Sequence, residues 1–238
     1  MPSGPSTARP QHLESASPQH PRRPPEMPTT AEHRASCDAF VAHIHLLCAE
    51  PGTRVRLSRG RGRPVEECAP MDRYLSRRTA HRAGRRAYYT VASLIATSGP
   101  QAHTPGVRPD PDDDADPMTM ADAPGVPDAP LVAPVEPAPA PSLPDPALWF
   151  ARPNLGATLA TAVNQASHSA ERTEDLLSLL TRLSDDQLHR RLPGAVTRLL
   201  QDNITPDWGV LLYDLVQRPL HRDQVGLRWR DAFYLSTP

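Results

Sequence analysis

Of the 30 prolines in this chain of 238 residues, 8 lie between Pro2 and Pro28 and 14 between Pro100 and Pro146. Proline fixes φ and removes a backbone donor, so stretches this dense in it sustain neither helix nor sheet, and their low apolar content leaves no core to bury. Residues 1–30 therefore read as a disordered tail and 100–147 as a disordered, acidic, Pro-rich tether. What remains, 31–99 and 148–238, is about 160 residues, enough for one sizeable core if the two pieces pack together.

The formal net charge of −1 conceals a strong asymmetry. Residues 31–99 carry twelve arginines against six acids, 100–147 one arginine against nine acids, and 148–238 ten against ten. From Arg54 to Arg86 eleven arginines face only Glu66, Glu67 and Asp72. A solvated helix face normally mixes signs, so a cluster of one sign points to a polyanion. No lysine occurs anywhere, and the arginine fork binds phosphate bidentately and stacks on bases.

Helical spacing recurs wherever the prolines thin out. Phe40, Val41, Ile44, Leu47 and Cys48 predict a helix over 31–49, with Thr29 and Glu32 as a capping box and Pro51-Gly52 as its stop. A short helix or turn is expected at 53–59, another opening at Pro64, and a longer helix over 79–98. After the tether, Leu155 to Ala166 and Leu176 to Leu183 mark two more. Ser184-Asp185-Asp186-Gln187 is a capping box for a third, Pro193 is expected to open a fourth, and Asp207 to cap a fifth. A last helix is expected over roughly 222–235. With no run of period two, the fold class is all-α: a bundle of about eight to ten helices in two packed parts.

The motifs of enzymes are missing. There is no G-x-S-x-G, no P-loop and no G-x-G-x-x-G, and no cysteine-based signature accompanies Cys37, Cys48 and Cys68. His33/Cys37 and His45/Cys48 could each place two metal ligands on one helix face, but both pairs share the apolar helix of Phe40 and Ile44, and no metal or other cofactor is expected. Three unevenly spaced cysteines, and a start without a basic segment leading into an apolar one, predict reduced thiols and a cytoplasmic location with no membrane partner. Arg61-Gly62-Arg63-Pro64 matches the core of an AT-hook, whose extended backbone lies in the A·T minor groove. A four-residue match arises easily in an Arg-rich region, and a free-standing AT-hook-like DNA-binding module stands as the alternative reading.

Several blocks resemble one family. Asn154 to Leu159 stands at a helix start, and His189 precedes Leu192-Pro193 and Val196-Thr197-Arg198-Leu199-Leu200. Asp207-Trp208 with Leu211-Leu212 and Asp214-Leu215 is similar to a "DW..LL.DL" pattern, and Arg228-Trp229 to Tyr234 to "rW..dFY". Arg86-Ala87-Tyr88-Tyr89-Thr90-Val91-Ala92-Ser93-Leu94 is similar to "aYytVAaLfA". Together these resemble CasB, the small subunit of the type I-E CRISPR complex Cascade, over 31–99 and 148–235. The tether is longer and more acidic than the family pattern requires, and Gln217-Arg218-Pro219 stands where a Trp often follows the "DL" helix.

The resemblance implies a non-catalytic, all-helical protein, present in two copies along the CasC backbone and touching the CasA large subunit. It implies basic faces that steady the heteroduplex of guide RNA and target DNA and hold the displaced strand, which agrees with the arginine distribution. Arg54, Arg59, Arg61 and Arg63 are the first candidates for nucleic-acid contact, followed by Arg86, Arg172, Arg190, Arg191 and Arg198. Trp208 and Trp229 read as core rather than stacking platforms, and His189 as packing. The acidic tether, joined to the basic half, reads as an internal competitor for phosphate sites. Deletion of 101–146 is expected to raise affinity for random single-stranded DNA at low salt, with the difference fading at high salt; a binding series over ionic strength checks this.

Overall fold

The computed structural model describes residues 30–80, 82, 84–99, 149 and 151–237. Apart from Thr30, the stretches expected to be disordered, 1–30 and 100–147, lie outside these residues. The N-terminal part supplies α1 (Thr30–Cys48), α2 (Pro51–Ser58), a 3-10 turn (Val65–Glu67), α3 (Ala69–Thr79) and α4 (Arg85–Ser98). The C-terminal part supplies α5 (Leu155–Ala166), α6 (Ala170–Arg182), α7 (Asp185–Gln201) and α8 (Trp208–Ser236). Among the described residues there are eight α-helices and no strand, as the all-α reading expects.

Two local expectations differ from the structure in the N-terminal part. The helix expected over 79–98 begins only at Arg85, because Gly84 precedes it in the left-handed region (φ +74°) and an added Cβ there would meet the Val216 Cα at 3.3 Å. Ahead of it stands α3, which the sequence reading lacked. Its buried set is only Met71, Leu75 and Thr79, a stripe too narrow to announce itself among Arg73, Arg77 and Arg78. In α4, by contrast, every residue from Ala87 to Ala96 is buried. A helix covered on all faces is a core helix, and α4 packs against α1 and α2 on its own side and α7 and α8 on the other.

Each C-terminal helix starts at a side-chain cap; the sequence predicts those at Ser184 and Asp207, whereas α6 begins at Ala170, ahead of the expected Leu176. Asn154 accepts from the Ala157 N–H, Ser169 from Arg172, and Asp207 from Val210. The Ser184–Gln187 capping box has both of its hydrogen bonds. Pro193, expected as a helix start, lies inside α7 instead. Leu188, Leu192, Val196 and Leu199 form one buried stripe through that point, and burying it outweighs the single hydrogen bond that proline deletes. The two helices expected after Asp207 are the limbs of α8, which breaks at His221 (φ −132°, ψ 41°), two residues past Pro219. Trp208 and Trp229, one on each limb, are fully buried, as expected.

Charged groups tie the two parts together. The Arg152 guanidinium donates to both Asp38 oxygens, at 2.8 and 2.9 Å, and to both Asp207 oxygens, at 2.7 and 2.6 Å, while stacking on Trp149. Arg218, fully buried, donates to the Leu180 carbonyl at 3.0 Å and the Leu183 carbonyl at 2.7 Å, closing the C-terminus of α6. Across the α8 break, buried Asp214 accepts from the Trp229 indole at 2.6 Å and pairs with Arg228. His189 on α7 is buried against Thr90 on α4, with 2.8 Å between Nδ1 and the hydroxyl.

These buried groups set a pH signature. Burial pushes the Asp214 carboxyl from 3.8 up to about 6, against the pull of Arg228 and the Trp229 N–H. Burial, with Arg86 and Arg218 nearby, pushes the His189 imidazole from 6.5 down to about 4. Folded Asp214 holds its proton more tightly than the unfolded chain does, so acidification toward 4 favours the fold through this group. His189 holds its proton less tightly when folded, so acidification over the same range favours unfolding. Asp214→Asn removes this opposing contribution, and its urea midpoint is expected to fall more steeply than the wild-type one as the pH drops from 6.5 to 4. Parallel pH curves for the two proteins would refute this assignment.

Candidate nucleic-acid interface

The basic loop between α2 and the 3-10 turn is folded back by backbone bonds from the Gly60 N–H to the Leu57 carbonyl and from Arg63 to Gly60. Gly62, at φ +73°, seats it against α7, where an added Cβ would stand 3.6 Å from the Arg190 carbonyl. Arg61 reaches Thr197 at 3.4 Å. An Arg-Gly-Arg turned in this way and docked on a helix is not the extended segment that an AT-hook inserts into a minor groove.

Loop and helix border an open groove of about 510 Å³ lined by Arg61, Arg190, Gly194, Thr197, Arg198 and Gln201, among others. On the other side of Arg198 a second cleft, of about 380 Å³, is lined by Ser167, His168, Ser169, Arg172 and Ala195. Arg198 borders both. Arg61, Arg190, Arg198 and Arg172, from three separate segments, thus line adjoining clefts. His168 is bonded to Asp202 at 2.8 Å, which partly occupies that imidazole.

The sequence candidates divide by their surroundings. Arg59, Arg61, Arg63, Arg172, Arg191 and Arg198 are exposed, and none has a carboxylate in salt-bridge range among the described residues. Arg54 is half-buried in α2. Arg191 is on the exposed side of α7 and lines neither cleft. Arg190, 63% exposed, has Asp186 at 3.1 Å on the preceding turn. Arg86 is paired with Asp186 too, bonds its carbonyl, and has a side chain only 19% exposed, so it is a strut between α4 and α7.

Sequence reasoning missed Gly194, Thr197 and Gln201, although their spacing from Arg190 marks one helix face. It also passed over Arg73, Arg77 and Arg78, exposed on α3. Within the α1 pairs weighed as metal ligands, His33 bonds Gln217 at 3.2 Å, and burial, with Asp38 beside it, raises the Cys37 thiol to about 12. Burial raises Cys48 to about 11, so neither thiol ionises readily. Among the described residues no group of three or more His, Cys, Asp or Glu is arranged to hold a metal ion, and no helix is long and apolar enough to cross a membrane.

The family described as CRISPR-associated protein Cse2 matches residues 53–234, which span the basic loop, both clefts and nearly all of α8. The chain belongs to this family. Cse2 is the type I-E small subunit, the family that the sequence blocks resemble. Two solved structures carry a similar chain. In one, described as "CRISPR RNA-guided surveillance complex", the TM-score is 0.62 at 25% identity, covering 86% of this chain and 94% of the other. In the second, described as "CRISPR RNA-guided surveillance complex, pre-nicking", it is 0.62 at 26%, covering 85% and 94%. A comparison with curated proteins found no match.

The surroundings of these arginines predict different outcomes on truncation. Arg86→Ala in this Cse2 chain is expected to lower the urea midpoint measurably, since it removes the strut to Asp186. Arg198→Ala is expected to leave stability within about 0.5 kcal/mol of wild type. Equal losses in both variants would place Arg198 in the fold rather than at the interface.

Proposed function

We propose that this chain is a non-catalytic small subunit of a type I-E Cascade complex. It holds nucleic acid through its arginine-lined clefts, steadying the heteroduplex of guide RNA and target DNA and retaining the displaced strand. The observation that carries this reading is the pair of clefts joined at Arg198, with Arg61, Arg190 and Arg172 around them. Of these four only Arg190 has a carboxylate partner among the described residues, Asp186 at 3.1 Å, and guanidinia drawn from separate elements suit successive backbone phosphates. Such contacts read no sequence, which is what stabilising an R-loop over any target requires. Partners on this reading are the CasC backbone, the CasA large subunit, a second copy of the chain, guide RNA and target DNA, in the cytoplasm.

Co-expression with CasC and a guide RNA, followed by affinity purification and native mass spectrometry, tests the assembly. Two copies per ribonucleoprotein are expected, and failure to co-purify with an otherwise assembled complex would refute the subunit role. In the assembled complex, charge reversal at Arg61 and Arg198 together is expected to weaken retention of the displaced strand and to flatten its salt dependence, whatever the DNA sequence. Unchanged retention and an unchanged salt slope would remove the clefts from the mechanism. A preference for A·T over G·C duplexes that depends on Arg61 and Arg63 would favour the AT-hook reading instead.

A further inference from the structure

The middle of α7 contains the two poorest helix formers side by side, Pro193 and Gly194. Pro193 has an evident use, since its ring is buried with Leu192 and Val196. Gly194 has none inside the chain. A Cβ built on it meets nothing within 4 Å, its φ is not positive, and it is exposed. Two other helix or loop glycines are fixed by their neighbours: a side chain at Gly156 would collide with the Trp229 carbonyl, and one at Gly60 with the Met71 sulfur. Gly194 therefore spends helix stability for no contact that the fold makes.

Its location supplies a use. Gly194 lines the cleft between Arg61 on the docked loop and Arg190 and Arg198 on its own helix. A glycine there leaves a bare strip of helix backbone, and bare backbone is what a ligand needs for close approach. The cleft is open to solvent along the helix, so the displaced strand of the reading given above has room to lie along it.

We propose that Gly194 is a contact position for the sugar–phosphate backbone of single-stranded nucleic acid, which lies directly on α7 while Arg61, Arg190 and Arg198 reach its phosphates. This inference rests on the reading of the clefts given under Proposed function. Any side chain at 194 lifts the strand off the helix and lengthens the guanidinium contacts together.

The test uses the full chain, a labelled poly-dT oligonucleotide long enough to cross both clefts, and low ionic strength. Gly194→Ala is expected to raise the melting temperature, because alanine is the better helix former and has open space there, while weakening binding roughly tenfold. Gly194→Leu should weaken it further. Stability and affinity moving in opposite directions is the result that a merely structural glycine cannot give. A raised melting temperature with unchanged affinity overturns the inference, as does a lowered one, which would mean that the fold itself needs the glycine. Arg198→Glu, measured alongside, separates the two levels. If it weakens binding and Gly194→Ala does not, only the glycine contact falls; if it also leaves binding unchanged, or neither the wild-type chain nor a chain lacking 101–146 binds, the cleft reading falls with it.

Discussion

A helix buried on every side needs neighbours all around it, and α4, buried from Ala87 to Ala96, is such a helix. Neither part of the chain encloses it alone. Helices α1, α2 and α3 of one part and α7 and α8 of the other all pack on it, so the two parts share a core. The docked loop follows from this arrangement. With α4 held between α2 and α7, the segment leaving α2 has α7 beside it, and Gly62 lets it settle there.

The charges at the junction are consistent with the same constraint. Asp207 and Asp214 are almost wholly buried, and an isolated carboxylate at such a depth would be strongly unfavourable. Each has an arginine partner, Arg152 for the first and Arg228 for the second. Arg152 also holds Asp38 of α1, so one guanidinium spans the beginning and the end of the fold. Arg218 satisfies carbonyls instead of a carboxylate. Paired charges of this kind specify an arrangement more than they stabilise it, because a partner in the wrong place leaves a charge alone in the core.

Features that depend on a few neighbouring residues were legible in the sequence: the box at Ser184, the cap at Asp207, the two limbs of α8 and the buried tryptophans. Their signals are caps and 3.6-residue periodicity, both local. α3 escaped because most of its surface is arginine and its buried stripe is three residues wide. Pro193 misled because its chemistry favours a helix start, while the apolar stripe running past it favours continuation. At the interface the arginine types were legible and their company was not. Nothing in the local sequence says that Arg86 meets Asp186 or that Arg61 meets Thr197, both pairings between distant segments.

The sharing of Arg198 between two clefts bears on movement as well as on binding. A polyanion held in two isolated basic pockets must leave one attractive field before it enters the next, and the gap is a barrier to displacement along its own axis. On the proposed reading the fields of the two clefts meet at the Arg198 guanidinium, so a phosphate passes from one cleft to its neighbour without an uncompensated interval. On that reading the surface grips a strand across its width while leaving it free to shift lengthwise.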